Sequence, residues 1–138
     1  MATYNKFNSF VEAVAEKVHN LGSDTLTIAL TAAANAPAAS NTQLSDLTTV
    51  SATAINDLTP TISSSSQTTG TYKLVLADHD LTASGGSCGP FRYVVLYNDT
   101  ATNDELIGWW DYGSELTLSD GETLTLNFDD TNGVLQIA

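Results

Sequence analysis

The hydrophobic period of this chain changes once, near residue 22. Before that point Phe7, Phe10, Val11, Val14, Val18 and Leu21 recur at the spacing of one helix face, an amphipathic stripe at i, i+3, i+4 and i+7. Glu12, Glu16, Lys17 and Asn20 fall off the stripe. Asn5 or Asn8 is placed to cap its start and Gly22 to stop it. Residues 1–22 therefore read as an N-terminal helical segment. A helix of about 13 residues is marginal alone in water, so its stripe has to pack, most simply on the rest of the chain.

After Gly22 the period is two. Leu26, Ile28 and Leu30 alternate with Thr25, Thr27, Ala29 and Thr31, the pattern of a half-buried strand. Residues 32–43 are small and polar with one proline, and read as an exposed loop. Residues 44–58 fit a helical turn or an irregular strand equally well. Residues 60–70, with four consecutive serines, offer nothing to pack and read as a flexible loop or the tip of a long hairpin. Tyr72, Leu74 and Leu76 then alternate, Asp78-His79-Asp80 makes a bend, and Ser84-Gly85-Gly86-Ser87 a turn.

Phe91–Tyr97 is apolar on both alternating faces, which suits a central strand covered twice. Leu106–Trp110 follows after a short polar connection and pairs with it as a hairpin. Asp120-Gly121 and Asn132-Gly133 are tight-turn pairs, flanking Leu124, Leu126 and Phe128 and a short closing strand with Leu135 and Ile137. The expectation is one domain over 1–138: residues 1–22 helical, and residues 23–138 a mainly β unit. Its architecture would be an antiparallel β-sandwich or small barrel, jelly-roll-like, with the helix on one side.

Composition strengthens the sheet reading. There are 20 threonines, and only 14% of residues are charged, against about 25% in an average soluble domain. Thr is β-branched and favours strands. Four basic residues (Lys6, Lys17, Lys73, Arg92) face sixteen acids, for a formal charge of −12. Such a surface repels phosphates and anionic lipid, so neither nucleic acid nor membrane is an expected partner. Cys88 is alone, so no intrachain disulfide is expected. No secretory leader pattern and no apolar run of membrane-spanning length is visible, and synthesis in a cytoplasm is the simplest reading.

Candidate chemistry is sparse. Cys88 sits in a Gly-flanked turn with His79 nine residues earlier, without the base and orienting carboxylate that a nucleophile needs. Asp78 and Asp80 fall on one strand face and His79 on the other, so the triplet does not close on one ion. Asp129–Gly133 lacks the spaced ligands and terminal Glu of a calcium loop. Gly85-Gly86 is not followed by the Lys-Ser/Thr of a phosphate loop. No cofactor, no metal and no enzymatic activity are expected. Trp109 and Trp110 are the more telling residues, because neighbours on a strand face opposite sides. One can fill the core while the other meets the helix, a partner or solvent. With Phe7, Phe10 and Val14 they form the candidate interface set.

Several segments carry a resemblance. Phe91–Thr100 (FRYVVLYNDT) and Leu106–Ser114 (LIGWWDYGS), a helix ending VHNL at Val18–Leu21, the strand DTLTIALT at Asp24–Thr31, Ala36-Pro37, and ETLTLNF at Glu122–Phe128 with a closing Asn-Gly are similar to small virion-associated structural proteins of tailed bacteriophages. Residues 44–70 depart from the Gly-rich stretch usual there. The resemblance implies a phage virion component. Head decoration (cement) fits best: a protein bound to the major capsid protein on the capsid surface, often trimeric. A neck, tail or fibre-associated component and a carbohydrate- or receptor-binding β module are the alternatives.

Overall fold

The computed structural model describes residues 2–138. It is mainly β, with nine strands and one short α-helix. In chain order these are β1 (Tyr4–Lys6), α1 (Phe10–Ala15), β2 (Leu26–Thr31), β3 (Ile62–Thr68), β4 (Thr71–Leu76), β5 (His79–Thr82), β6 (Cys88–Asn98), β7 (Leu106–Leu118), β8 (Thr123–Leu126) and β9 (Leu135–Ile137). They make three antiparallel sheets, ordered β1-β7-β6-β2, β3-β4-β9 and β5-β8. The sheets form an open sandwich rather than a closed barrel.

The principal core lies between the four-stranded sheet and the two smaller ones. Leu26, Ile28 and Leu30 of β2 and Phe91, Val94 and Leu96 of β6 meet Leu74, Leu76, Leu81 and Leu135 from the opposite layer. Burying each such side chain contributes about 1.5–3 kcal/mol. The expected central strand is β6, hydrogen-bonded to β2 on one side and β7 on the other. Its outer face needs cover too, and Val95 and Ala29 find it in Phe7, Leu106, Leu44, Leu47 and Trp109. Leu44 and Leu47 belong to a 3₁₀ turn at Leu44–Asp46 and its exit. The Asp46 carboxylate accepts hydrogen bonds from the Thr42 amide and hydroxyl and the Gln43 amide, which clips that loop in place and holds its pKa below the usual carboxylate range.

The N-terminal helix is much shorter than its stripe. Phe7 precedes it and Val18 and Leu21 follow it. It ends in a Schellman turn: the Val18 amide donates to the Ala13 carbonyl (2.8 Å), the Lys17 amide to the Val14 carbonyl (3.3 Å), and Lys17 takes φ +65°. The stop is therefore Lys17, not Gly22. Ser9 is the N-cap and uses no side-chain bond, while Asn5, an expected cap, sits in β1. Phe7 and Leu21 are buried although the backbone around them reverses. Helical spacing here records the burial of Phe7, Phe10 and Leu21, not continuous helix, and Val11, on the expected stripe, is 57% exposed.

Of the two readings of residues 60–70, the flexible loop fails and the hairpin holds. Its tip is at Thr69-Gly70, and the serines lie inside its first strand, Ile62–Thr68, paired with β4. Backbone pairing needs no large side chain, so four serines can carry it. The Asp120-Gly121 and Asn132-Gly133 turns form, with positive φ at both glycines, yet neither makes a hairpin. β7 and β8 lie in different sheets, and β9 crosses to β4. A turn residue fixes the local reversal and leaves the pairing partner open.

Two positions tie backbone to packing. The Tyr4 ring lies over Gly108, where any Cβ would overlap it. Thr69 holds φ +49° and Gly70 φ +86°, and left-handed geometry is costly for a β-branched residue. Gly108→Ala is expected to lower stability by about 1–3 kcal/mol through overpacking. Thr69→Asn is expected to raise it by about 0.5–1 kcal/mol. Urea unfolding of the two variants measures both, with opposite signs expected.

Candidate functional site

The paired tryptophans divide between the two faces of the four-stranded sheet, as strand alternation requires. Trp109, opposite Val95, turns outward and packs on Phe7 with ring centroids 4.5 Å apart. Trp110, opposite Val94, turns inward between Tyr4 and Phe128, each 5.4 Å away. Phe7 and Phe10 are fully covered by their own chain, and Val14 packs against the principal core. Of the candidate interface residues, then, Phe7 and Phe10 are internal. Trp109 and Trp110 keep part of their surface exposed.

Trp110 forms part of a cleft of about 590 Å³ lined from β6, β7 and β8 and by residues of both chain ends. Its apolar and aromatic lining includes Tyr4, Val94, Trp110, Tyr112, Leu124, Leu126 and Phe128. Thr125, Asn127 and Asp129 add polar groups. Tyr112 is 51% exposed and shares the cleft with Trp110 two residues earlier, the strand spacing of side chains on one face. Sequence reading singled out the tryptophan and missed this tyrosine, although the i+2 relation was visible. Tyr4 was hidden because its segment read as helix. Burial pushes the Tyr4 hydroxyl well above its ordinary pKa, so it stays protonated.

A second polar centre lies at the end of β6. Asn98 is fully buried. Its Nδ2 donates to Asp24 Oδ2 (2.7 Å) and His19 Nδ1 (3.0 Å), and its Oδ1 accepts from the Thr100 and Ala101 amides. One amide side chain thereby joins the segment after α1 to the β6–β7 connection. His19 stacks on Phe10 at 5.4 Å, and its Nε2 is buried without a partner. Since Asn98 donates to Nδ1, the neutral ring must carry its proton on Nε2.

Several of the polar groups singled out from the sequence make contacts within the fold. Asp78 accepts from the Phe128 amide and Asp80 from the Thr125 hydroxyl, while His79 Nε2 meets the Asp57 carbonyl. Asp129 closes its own turn with Thr131 and Asn132. Cys88 is buried with Sγ 3.5 Å from the Ser51 carbonyl, and burial raises its thiol pKa. Arg92 forks onto Asp111 with contacts of 2.8 and 2.9 Å. Among the described residues no group of three or more His, Cys, Asp or Glu side chains converges on a point where a metal could sit. No helix among them is long and apolar enough to cross a membrane.

Burial lowers the His19 pKa, with Glu105 and Asp24 opposing the shift. The unfolded chain therefore binds the proton first as pH falls. The stability due to neutral His19 is complete above about pH 6.5 and declines as pH drops toward the lowered folded value. Urea midpoints should fall between about pH 7.5 and about pH 5.5, and His19→Asn, which keeps an acceptor but cannot titrate, should flatten that slope. An equal slope in the variant would remove His19 as its source. Comparison of the chain with protein-family models, with curated proteins and with solved structures finds no match.

Proposed function

We propose that this chain is a structural component of a tailed-bacteriophage particle, and most directly a head decoration protein that docks on a shell of major capsid protein. The particle setting rests on the similarity of the segments quoted above. Those segments build β2, β6, β7 and β8, and so the central sheet and part of the cleft lining. The observation that carries the docking role is the aromatic cleft. A finished core leaves Tyr112 about half exposed beside Trp110, on a chain whose surface is otherwise rich in hydroxyls and carboxylates. Large aromatics in pockets are the usual energetic centres of protein interfaces. The charge of −12 keeps many copies soluble before assembly and favours a basic receptor surface.

The first test is stoichiometry. Gel densitometry of purified particles should give hundreds of copies per virion, and deletion should reduce head stability. A handful of copies would instead assign the chain to the neck, tail or fibre. Tyr112→Ala, which removes an exposed ring, should weaken binding to undecorated heads by about tenfold or more while the circular dichroism spectrum is unchanged.

The same cleft favours a second reading, carbohydrate binding. Trp110 and Tyr112 offer ring faces, and Asn127 and Asp129 add polar side chains to the same lining. Glycan-array binding that Tyr112→Ala abolishes would select this reading over docking on the shell.

A further inference from the structure

Among the described residues, every edge strand of the three sheets but one is covered or short. β7 also runs past β1 from Asp111 to Leu118, but that stretch carries the charges of Asp111 and Glu115 and a left-handed Gly113, devices that guard an open edge. β2 is screened by residues 49–58: the Val50 amide donates to Leu30, the Ile28 amide to Leu58, and Thr31 bridges Thr49. β5 is screened by residues 54–56 through Asn56 to Thr82 and Ser84 to Ala54. The edges at β1 and β9 are three residues long, and that at β8 four. β3 is seven residues long and pairs with β4 on one side only. Its only edge defence is an irregularity between Ile62 and Ser64. Natural sheets blunt exposed edges with lysine, proline or a covering loop, and Ser63–Thr68 has none of these.

The direction of the unpaired groups follows from the neighbouring strand. The Leu74 carbonyl accepts from the Val134 amide, so the backbone of Leu74 faces β9. Ser65 lies opposite Leu74. In an antiparallel pair, residues whose partner turns away do the same. The amide and carbonyl of Ser65, and by alternation those of Gln67, thus point off the sheet.

We propose that this edge is a homotypic contact, in which β3 of one copy pairs antiparallel with β3 of a second copy. The two β3-β4-β9 sheets then become one six-stranded sheet across a two-fold axis. Two observations select a second copy over a foreign strand. The edge lies in a run of fifteen residues, from Leu58 to Tyr72, without a charged side chain. Two chains of charge −12 meet there at least electrostatic cost, and an acidic or basic partner finds no counter-charge. Strand addition also draws its specificity from side-chain pockets along the edge, and consecutive serines offer only hydroxyls. The strand that matches them is itself serine-rich, and a two-fold pairing of Ser63–Ser66 sets hydroxyl against hydroxyl. This symmetry is separate from the three-fold assembly that the phage resemblance implies, so it can join neighbouring oligomers on a shell. It holds equally for the free chain, whatever the outcome for the proposed docking role.

One strand pair buries less than the roughly 1,000 Å² of a stable interface, so the association should be weak and concentration-dependent, appearing between about 10 µM and about 1 mM. Sedimentation equilibrium over that range should show the step, and hydrogen exchange at the Ser65 and Gln67 amides should slow as concentration rises. Ser64→Glu with Ser66→Glu, and separately Ser64→Lys with Ser66→Lys, should each abolish it by repulsion across the axis. An equimolar mixture of the two double variants should restore it, which a folding defect would not do. Three results would overturn the proposal: a wild-type chain with no concentration-dependent step, double variants that associate like wild type, or protection of Ser65 and Gln67 seen only on phage particles. The last would assign the edge to a foreign strand.

Discussion

A central strand that is apolar on both faces has to be covered twice, and the rest of this fold is arranged around that requirement. β6 presents Phe91, Val94 and Leu96 to one side and Val95 to the other. The inner side is met by two small sheets, neither of which is large enough to do it alone. The outer side is met by Phe7, Trp109 and the loop at Leu44–Leu47. A chain of 138 residues with few charges and one cysteine achieves this partly because the connections at 43–47 and 49–58 double as cover.

That economy explains what the sequence made legible. Alternation placed β2, β4 and β8, where period two follows the burial of one face, and unbroken apolar runs placed β6 and the start of β7. The β6–β7 hairpin was legible as well, because its connection is too short for any other route. Pairing between distant strands was not, because Asp120-Gly121 and Asn132-Gly133 determine only that the chain turns. β3 could be read only as a loop or a hairpin tip for a related reason: serine has little to bury, so a strand held by backbone bonds leaves no hydrophobic trace. In the N-terminal segment, Phe7, Phe10 and Leu21 are buried at helical spacing on a backbone that is strand, helix and turn in succession.

The candidate site was half visible. Trp109 and Trp110 were identified, and alternation split them between faces. Which face held the cleft depended on Tyr4 and Phe128, separated from Trp110 by 106 and 18 positions, and no local pattern links them. The Asn98 centre was similarly hidden. A buried amide joining His19 and Asp24 is defined by two segments more than seventy positions apart, and none of the three residues stands out in its own stretch.

The Tyr4 ring over Gly108 bears on the order of assembly. β1 has three residues, too few for its hydrogen bonds alone to choose a register, and the notch above glycine accepts the ring in one position. That notch exists only after Gly108 and its neighbours have paired with β6. Synthesis runs from N- to C-terminus, so β1 waits for about one hundred further residues before its seat on β7 is built. A truncated chain lacking β7 would leave Tyr4 and Phe7 without their aromatic partners Trp110 and Trp109.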